Sequence, residues 1–123
     1  MNPVDKILAS EVITAVRAAA PQGQPVYLVG GAVRDALLGL PPHDLDFCLS
    51  EKVKLTARKI AELLGAAFYP LNEERSNYRL IHKDSQGRRY AIDFAAIRGT
   101  DIEADLHARD FTINAMAMNV IES

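Results

Sequence analysis

Val26-Tyr27-Leu28-Val29-Gly30-Gly31-Ala32-Val33-Arg34-Asp35, with Asp44-Leu45-Asp46 a short way on, is the stretch from which the rest of the chain can be read. Val26 to Val29 is an apolar run too short and too β-branched for a helix, and it reads as a buried strand. It breaks at two glycines. Helical spacing then runs from Ala32 to Leu40, closing on Gly39 and stopped by Pro41-Pro42. A strand, a tight turn and a helix N-terminus are the usual means of turning backbone N–H groups toward phosphate. Asp44 and Asp46 stand two residues apart, which on a strand puts both side chains on one face.

Outward from this centre the chain alternates helix and strand patterns. Val4, Ile7, Leu8, Val12, Ile13 and Val16 recur at threes and fours, so residues 4–20 read as an amphipathic helix, and Pro21-Gln22-Gly23-Gln24-Pro25 breaks it. Asp44 to Leu49 alternates, with Leu45, Phe47 and Leu49 on one face and Asp44, Asp46 and Cys48 on the other. A second helix is expected from Lys52 to Leu64, with Val53, Ala57, Ile60, Ala61 and Leu64 inward and Gly65 as its C-cap. Ala66 to Leu71 reads as a short strand. Asn77 to Lys83 and Arg88 to Ile97 read as a hairpin turning at Asp84-Ser85-Gln86-Gly87. Residues 101–114 read as helical, and an apolar run follows from Ala115 to Ile121.

Length and composition bound the class. The 123 residues suit one domain with one core, and 49% hydrophobic with 24% charged is globular composition. No apolar run approaches the ~20 residues of a membrane helix, and Asp5, Lys6, Glu11 and Arg17 interrupt the N-terminal segment too often for a signal peptide. A single cysteine, Cys48, excludes an internal disulfide and a cysteine-based zinc site, and the expected setting is a reducing cytoplasm. The net charge of −2 lacks the basic footprint of a self-sufficient nucleic-acid binder.

The candidate chemistry lies in the carboxylates. An isolated D-x-D is usually an exposed strand face, but here it follows a candidate phosphate cradle. Carboxylates leaning together from one strand can share divalent cations, and two-metal phosphoryl transfer uses ions ~3.5–4 Å apart. Hard oxygen ligands suit Mg²⁺. Asp93 is a candidate third ligand: Tyr90, Ile92 and Phe94 share one face, and Asp93 faces the other way between the small Ala91 and Ala95. The alternative for it is a solvated aspartate on a hairpin. The glycine turn matches neither the dinucleotide fingerprint nor the P-loop. Arg34, about one turn into the helix, is placed to reach a triphosphate, and Asp35 beside it pairs with Arg34 or orients it.

Three segments in order, Leu28 to Asp35, Asp44-Leu45-Asp46, and Arg109-Asp110-Phe111-Thr112-Ile113-Asn114-Ala115-Met116-Ala117, together resemble the head domain of class II CCA-adding enzymes and bacterial poly(A) polymerases. These are tRNA nucleotidyltransferases of the DNA polymerase β superfamily. The resemblance runs from about Gln24 to the C-terminus. It implies an α/β (α+β) fold with a mixed, largely antiparallel palm-like sheet of about five strands and helices packed on one side. It makes residues 1–123 a single nucleotidyltransferase head, with an N-terminal helix over 1–22 and the motif-bearing catalytic region over 24–123. It implies that Asp44 and Asp46 bind the metals, with Asp93 as the acidic residue of the neighbouring strand. Gly30, Gly31, Arg34 and Asp35 match the triphosphate loop. Arg109, Asp110 and Asn114 match the second motif, along the nucleotide's sugar and phosphates.

Two positions depart from the family pattern: its doubled arginine is Ala108-Arg109 here, and the basic residue common before D-x-D is His43. The motifs that select CTP or ATP, and the neck, body and tail domains that hold tRNA, have no counterpart in the chain. The chain is therefore expected to be a fragment or a stand-alone head needing a partner subunit. The implied reaction is attack of an RNA 3′-hydroxyl on the α-phosphate of CTP or ATP, with two Mg²⁺ ions, or Mn²⁺ in their place. The alternatives are a Mg²⁺-nucleotide-binding module inactive alone, and a nucleotidyltransferase with a non-RNA acceptor.

Overall fold

The computed structural model describes residues 10–30, 44–83, 87, 89–97 and 117–121. The expected helices over 32–40 and 101–114, and the first turns of the N-terminal helix, lie outside the described residues. Among the described residues two helices and six strands follow in order: α1 (Glu11–Ala19), β1 (Tyr27–Val29), β2 (Leu45–Leu49), α2 (Val53–Leu64), β3 (Ala67–Asn72), β4 (Asn77–Lys83), β5 (Arg89–Ala96) and β6 (Ala117–Asn119).

The helix ends have local causes. Ser10 caps α1, its Oγ accepting from the Ile13 N–H at 3.3 Å and satisfying one of the otherwise orphaned donors of the first turn. Val12, Ile13, Ala15, Val16 and Ala19 then form the buried stripe of α1. Gly65 ends α2 in the left-handed region at φ +66°. The Ala66 N–H donates to the Ala61 carbonyl at 2.9 Å and the Gly65 N–H to Glu62, which closes a Schellman turn. Of the residues expected to face inward, Val53, Ala57, Ile60 and Ala61 are buried. Leu64 is only partly buried, and Thr56 is buried in addition.

The strands make one sheet in the order β3-β4-β5-β2-β1-β6. All neighbours are antiparallel except β2 and β5, which run parallel at the centre of the sheet. The sheet is thus mixed and largely antiparallel, with one strand more than expected: β6, cut from the apolar run at 115–121, joins its edge beside β1. Period-two alternation puts Leu45, Phe47 and Leu49 on the same face as Ile92, Phe94, Leu80 and Leu28. These side chains are buried and form one core with the stripes of α1 and α2. Phe47 and Phe94, register partners across the parallel pair, stack with centroids 5.3 Å apart.

Polar contacts from His82 and Arg17 help fix α1 over this core. His82, 5% exposed on β4, bonds Glu11 at 2.7 Å and meets the Tyr90 ring edge-on. Arg17 donates from Nε to the Val120 carbonyl at 2.8 Å, tying α1 to the segment after β6.

A candidate metal and nucleotide site on the open sheet face

The other face of the same strands carries the charged residues. β2 and β5 are parallel and in a register that makes Asp46 and Asp93 direct partners. Adjacent strands lie ~4.8 Å apart and partner residues point to the same side, so these two carboxylates leave the sheet next to one another. Asp46 is exposed, and the Asp93 side chain retains 26% of its exposure. Asp44 stands just before β2, and its Oδ1 accepts the Ala91 N–H of β5 at 3.1 Å. One oxygen of Asp44 is thereby engaged with β5 just upstream of Asp93.

The row continues onto β4, where Arg79 is the register partner of Asp93. Its Nε donates to Asp93 Oδ1 at 2.8 Å and its Nη2 to Oδ2 at 2.9 Å, a two-pronged guanidinium–carboxylate pair. The hydrogen bond and charge of Asp93 hold the guanidinium above the usual arginine range, and Asp44 and Asp46 add to the effect through space. The room expected beside Asp93 is thus partly taken by a cation from the next strand. Arg79 carried no role in the sequence reading. Its signal was alternation within Asn77–Lys83, which puts it on the face opposite Tyr78, Leu80 and His82.

On the other side of Asp46, the row passes to Val29 of β1. Gly30 follows at φ +76°, a left-handed conformation that glycine adopts without strain and that ends the strand in a turn. The expected glycine turn therefore begins beside Asp46. Gly31, Arg34, Asp35, Arg109, Asp110 and Asn114 lie outside the described residues. Cys48 shares the face of Asp46 but is fully buried, and Val29 beside Asp46 is buried too, so on β2 the exposed part of this face ends at Asp46. A cavity of about 360 Å³ lined by Glu74, Arg75, Ser76, Asn77, Ala96 and Ile97 opens at the C-terminal end of β5, away from Asp44.

Among the described residues, the expected ligands Asp44, Asp46 and Asp93 included, no three His, Cys, Asp or Glu side chains converge closely enough to hold an ion by themselves. That excludes a closed site made of described residues alone. It leaves the open arrangement that suits Mg²⁺, which takes one or two carboxylates and completes its shell with waters and substrate phosphates. The donors on this face are hard oxygens: Asp44 and Asp46 are exposed, and Asp93, half-buried beside Asp46, is engaged by Arg79. No helix among the described residues is long and apolar enough to cross a membrane.

Comparison with known proteins bears on the same segments. Residues 26–123 match the family described as the poly A polymerase head domain. A CC-adding tRNA nucleotidyltransferase of Geobacter sulfurreducens is 42% identical over 97 residues, covering 79% of this chain and 22% of the relative. An A-adding tRNA nucleotidyltransferase of Deinococcus radiodurans is 41% identical over 91 residues, covering 74% of this chain and 19% of the relative. The chain thus spans about a fifth of the length of these curated relatives. Among solved structures, a tRNA nucleotidyltransferase complexed with a primer tRNA and an incoming ATP analog superposes with a TM-score of 0.71 at 33% identity. That match covers 89% of this chain and 32% of the other.

Proposed function

The chain belongs to the poly A polymerase head domain family, and on that premise we propose that it is the catalytic head of a template-independent tRNA nucleotidyltransferase. The reaction is transfer of a nucleoside monophosphate from CTP or ATP to the 3′-hydroxyl of tRNA or another RNA. The observation that carries the proposal is the register pairing of Asp46 with Asp93 on parallel strands, on an exposed face, beside a left-handed glycine turn. Relatives named for CC addition and A addition, and a solved relative holding tRNA with an ATP analog, support the substrate class.

Divalent metals are general in this family of nucleotidyltransferases, and we assign two Mg²⁺ ions to Asp44, Asp46 and Asp93, with Mn²⁺ able to substitute. When bound, they supply charge neutralisation for the attacking and leaving oxygens. The chain's own residues do the rest. Gly30 and Gly31 turn backbone N–H groups toward the triphosphate, Arg34 adds a cation to it, and Asp35 orients Arg34. Arg109, Asp110 and Asn114 line the sugar and phosphate side of the nucleotide. A bond forms between the RNA 3′-oxygen and the α-phosphorus as the bond to the pyrophosphate oxygen breaks. Asp93 would hold one of the ions, whose positive charge would make the RNA 3′-hydroxyl easier to deprotonate. Such catalysis is mostly positioning and electrostatics.

The net charge of −2 supports a division of labour in which the RNA is gripped by regions beyond this chain or by a partner subunit. A lone, buried Cys48 is consistent with a reducing, cytoplasmic setting. The test is incorporation of labelled CTP and ATP into tRNA lacking its 3′ end, with Mg²⁺ and an Asp46→Asn control. Incorporation that is lost in the control supports the assignment and names the nucleotide. Absence of incorporation with Mg²⁺-dependent nucleotide binding intact would instead favour a binding module that needs the rest of its enzyme. Incorporation unchanged by Asp46→Asn would remove the metal assignment.

A further inference from the structure

We propose that Arg79 is a positioning residue of this site: its forked pair with Asp93 orients that carboxylate, and its charge sets how tightly the site takes a divalent cation. The inference rests on the proposed metal role of Asp46 and Asp93. Its observations are the two hydrogen bonds from Arg79 to Asp93, at 2.8 and 2.9 Å, and the continuous cross-strand row Asp46, Asp93, Arg79.

Two like charges on directly opposed strand positions repel. Asp46 and Asp93 are such a pair, with Asp44 nearby on the same seam. A cation at the outer end of the row offsets that repulsion where no metal is bound. The guanidinium is planar and engages both oxygens of Asp93 at once, so it fixes the plane of the carboxylate, which a lysine ammonium cannot do. A carboxylate offers about four acceptor sites, and a fork uses two of them. Asp93 therefore keeps acceptor capacity for a metal while Arg79 stays in place. The cost of the arrangement is affinity: a fixed positive charge one carboxylate away opposes an incoming divalent ion. Arg79 is only partly exposed, 42% by side chain, so water screens that opposition incompletely.

The experiment is Mn²⁺ binding to the chain, followed by the loss of the free-ion electron paramagnetic resonance signal, for the unmodified protein, Arg79→Met, Arg79→Lys and Asp46→Asn. Folding of each variant is checked by circular dichroism. Arg79→Met is expected to bind Mn²⁺ more tightly, by roughly five-fold or more, since a unit charge this close to a divalent ion has that weight even at the dielectric constant of water. Arg79→Lys keeps the charge and is expected to bind within about two-fold of the unmodified protein. The bound-ion spectrum of Arg79→Lys should nevertheless broaden, because Asp93 is no longer held by a fork. A merely structural arginine would give the opposite sign, with affinity lost as the site loosens. Unchanged or weaker binding in folded Arg79→Met overturns the proposal. Binding indifferent to Asp46→Asn would show instead that the metal assignment itself has failed, and the role of Arg79 with it.

Discussion

The two faces of one pair of strands, β2 and β5, are built on opposite chemistry. On β2 and β5, Phe47 and Phe94 stack on the core side, while Asp46 and Asp93, one residue earlier on each strand, stand together on the other. The core side gains from every contact. Burial of each large apolar side chain contributes roughly 1.5–3 kcal/mol, and α1 and α2 cover that side. The carboxylate side works against stability: opposed like charges on neighbouring strands are unfavourable, and the forked pair of Arg79 with Asp93 is one contact that offsets part of that. One face holds the sheet together, and the other carries the proposed chemistry. Perturbing the two faces should therefore move stability in opposite directions.

The largest stability effect is expected on the core side. Phe47→Ala removes a fully buried ring from the centre of the sheet and should cost about 3–5 kcal/mol in urea unfolding, with a lower midpoint and little change in slope. Gly65→Ala tests the end of the helix covering that core. No heavy atom lies within 4 Å of where the new Cβ would be, but φ is +66°, so only backbone strain acts. The expected loss is about 1–2 kcal/mol. On the carboxylate side the sign reverses. Asp46→Asn should leave unfolding unchanged or stabilise by about 0.2–1 kcal/mol, while nucleotide incorporation falls on the order of 10²-fold or more. Destabilisation comparable to that of Phe47→Ala would contradict the division between the faces.

The smallest effect belongs to neither face. Lys54 and Glu73 form an exposed ion pair at 2.7 Å, and the hydrogen bond and charge of Lys54 hold the Glu73 carboxyl below its ordinary 4.5. A depressed carboxyl stabilises above its unfolded value and loses that contribution as pH falls through its folded one. Glu73→Gln should therefore lower the urea midpoint only slightly at neutral pH. The two proteins should converge below pH 4.5 and also in high salt.

The core side was legible in the sequence because burial leaves a periodic trace. Leu45, Phe47 and Leu49 alternate, α2 repeats at threes and fours, and Gly65 stands where a left-handed cap is required. The D-x-D and the small residues around Asp93 were visible for the same reason, since alternation assigns a face. Pairing was not visible. Reading the second hairpin strand from Arg88 sets Lys83 against Arg88, whereas the structure pairs Lys83 with Arg89. A slip of one residue moves every partner to the opposite face, so the shorter turn would set Arg79 against Ile92 instead of Asp93. The pairing of Arg79 with Asp93, and with it the role proposed for Arg79, depends on that one residue of register. The parallel pairing of β2 with β5, which sets Asp46 beside Asp93, is likewise a contact between strands separated by a helix and a hairpin, with no local pattern to announce it. The edge strand β6 was hidden in an apolar run with no alternation to assign it.

Calorimetric binding of CTP and ATP, with and without Mg²⁺, to the unmodified chain and to Asp46→Asn and Asp93→Asn tests most directly whether the carboxylate face is the working site. The account predicts nucleotide binding that requires Mg²⁺ and is weakened at least ten-fold, the scale of a lost metal contact, by either substitution with folding intact. Equal binding in all three proteins, or binding indifferent to Mg²⁺, would contradict it.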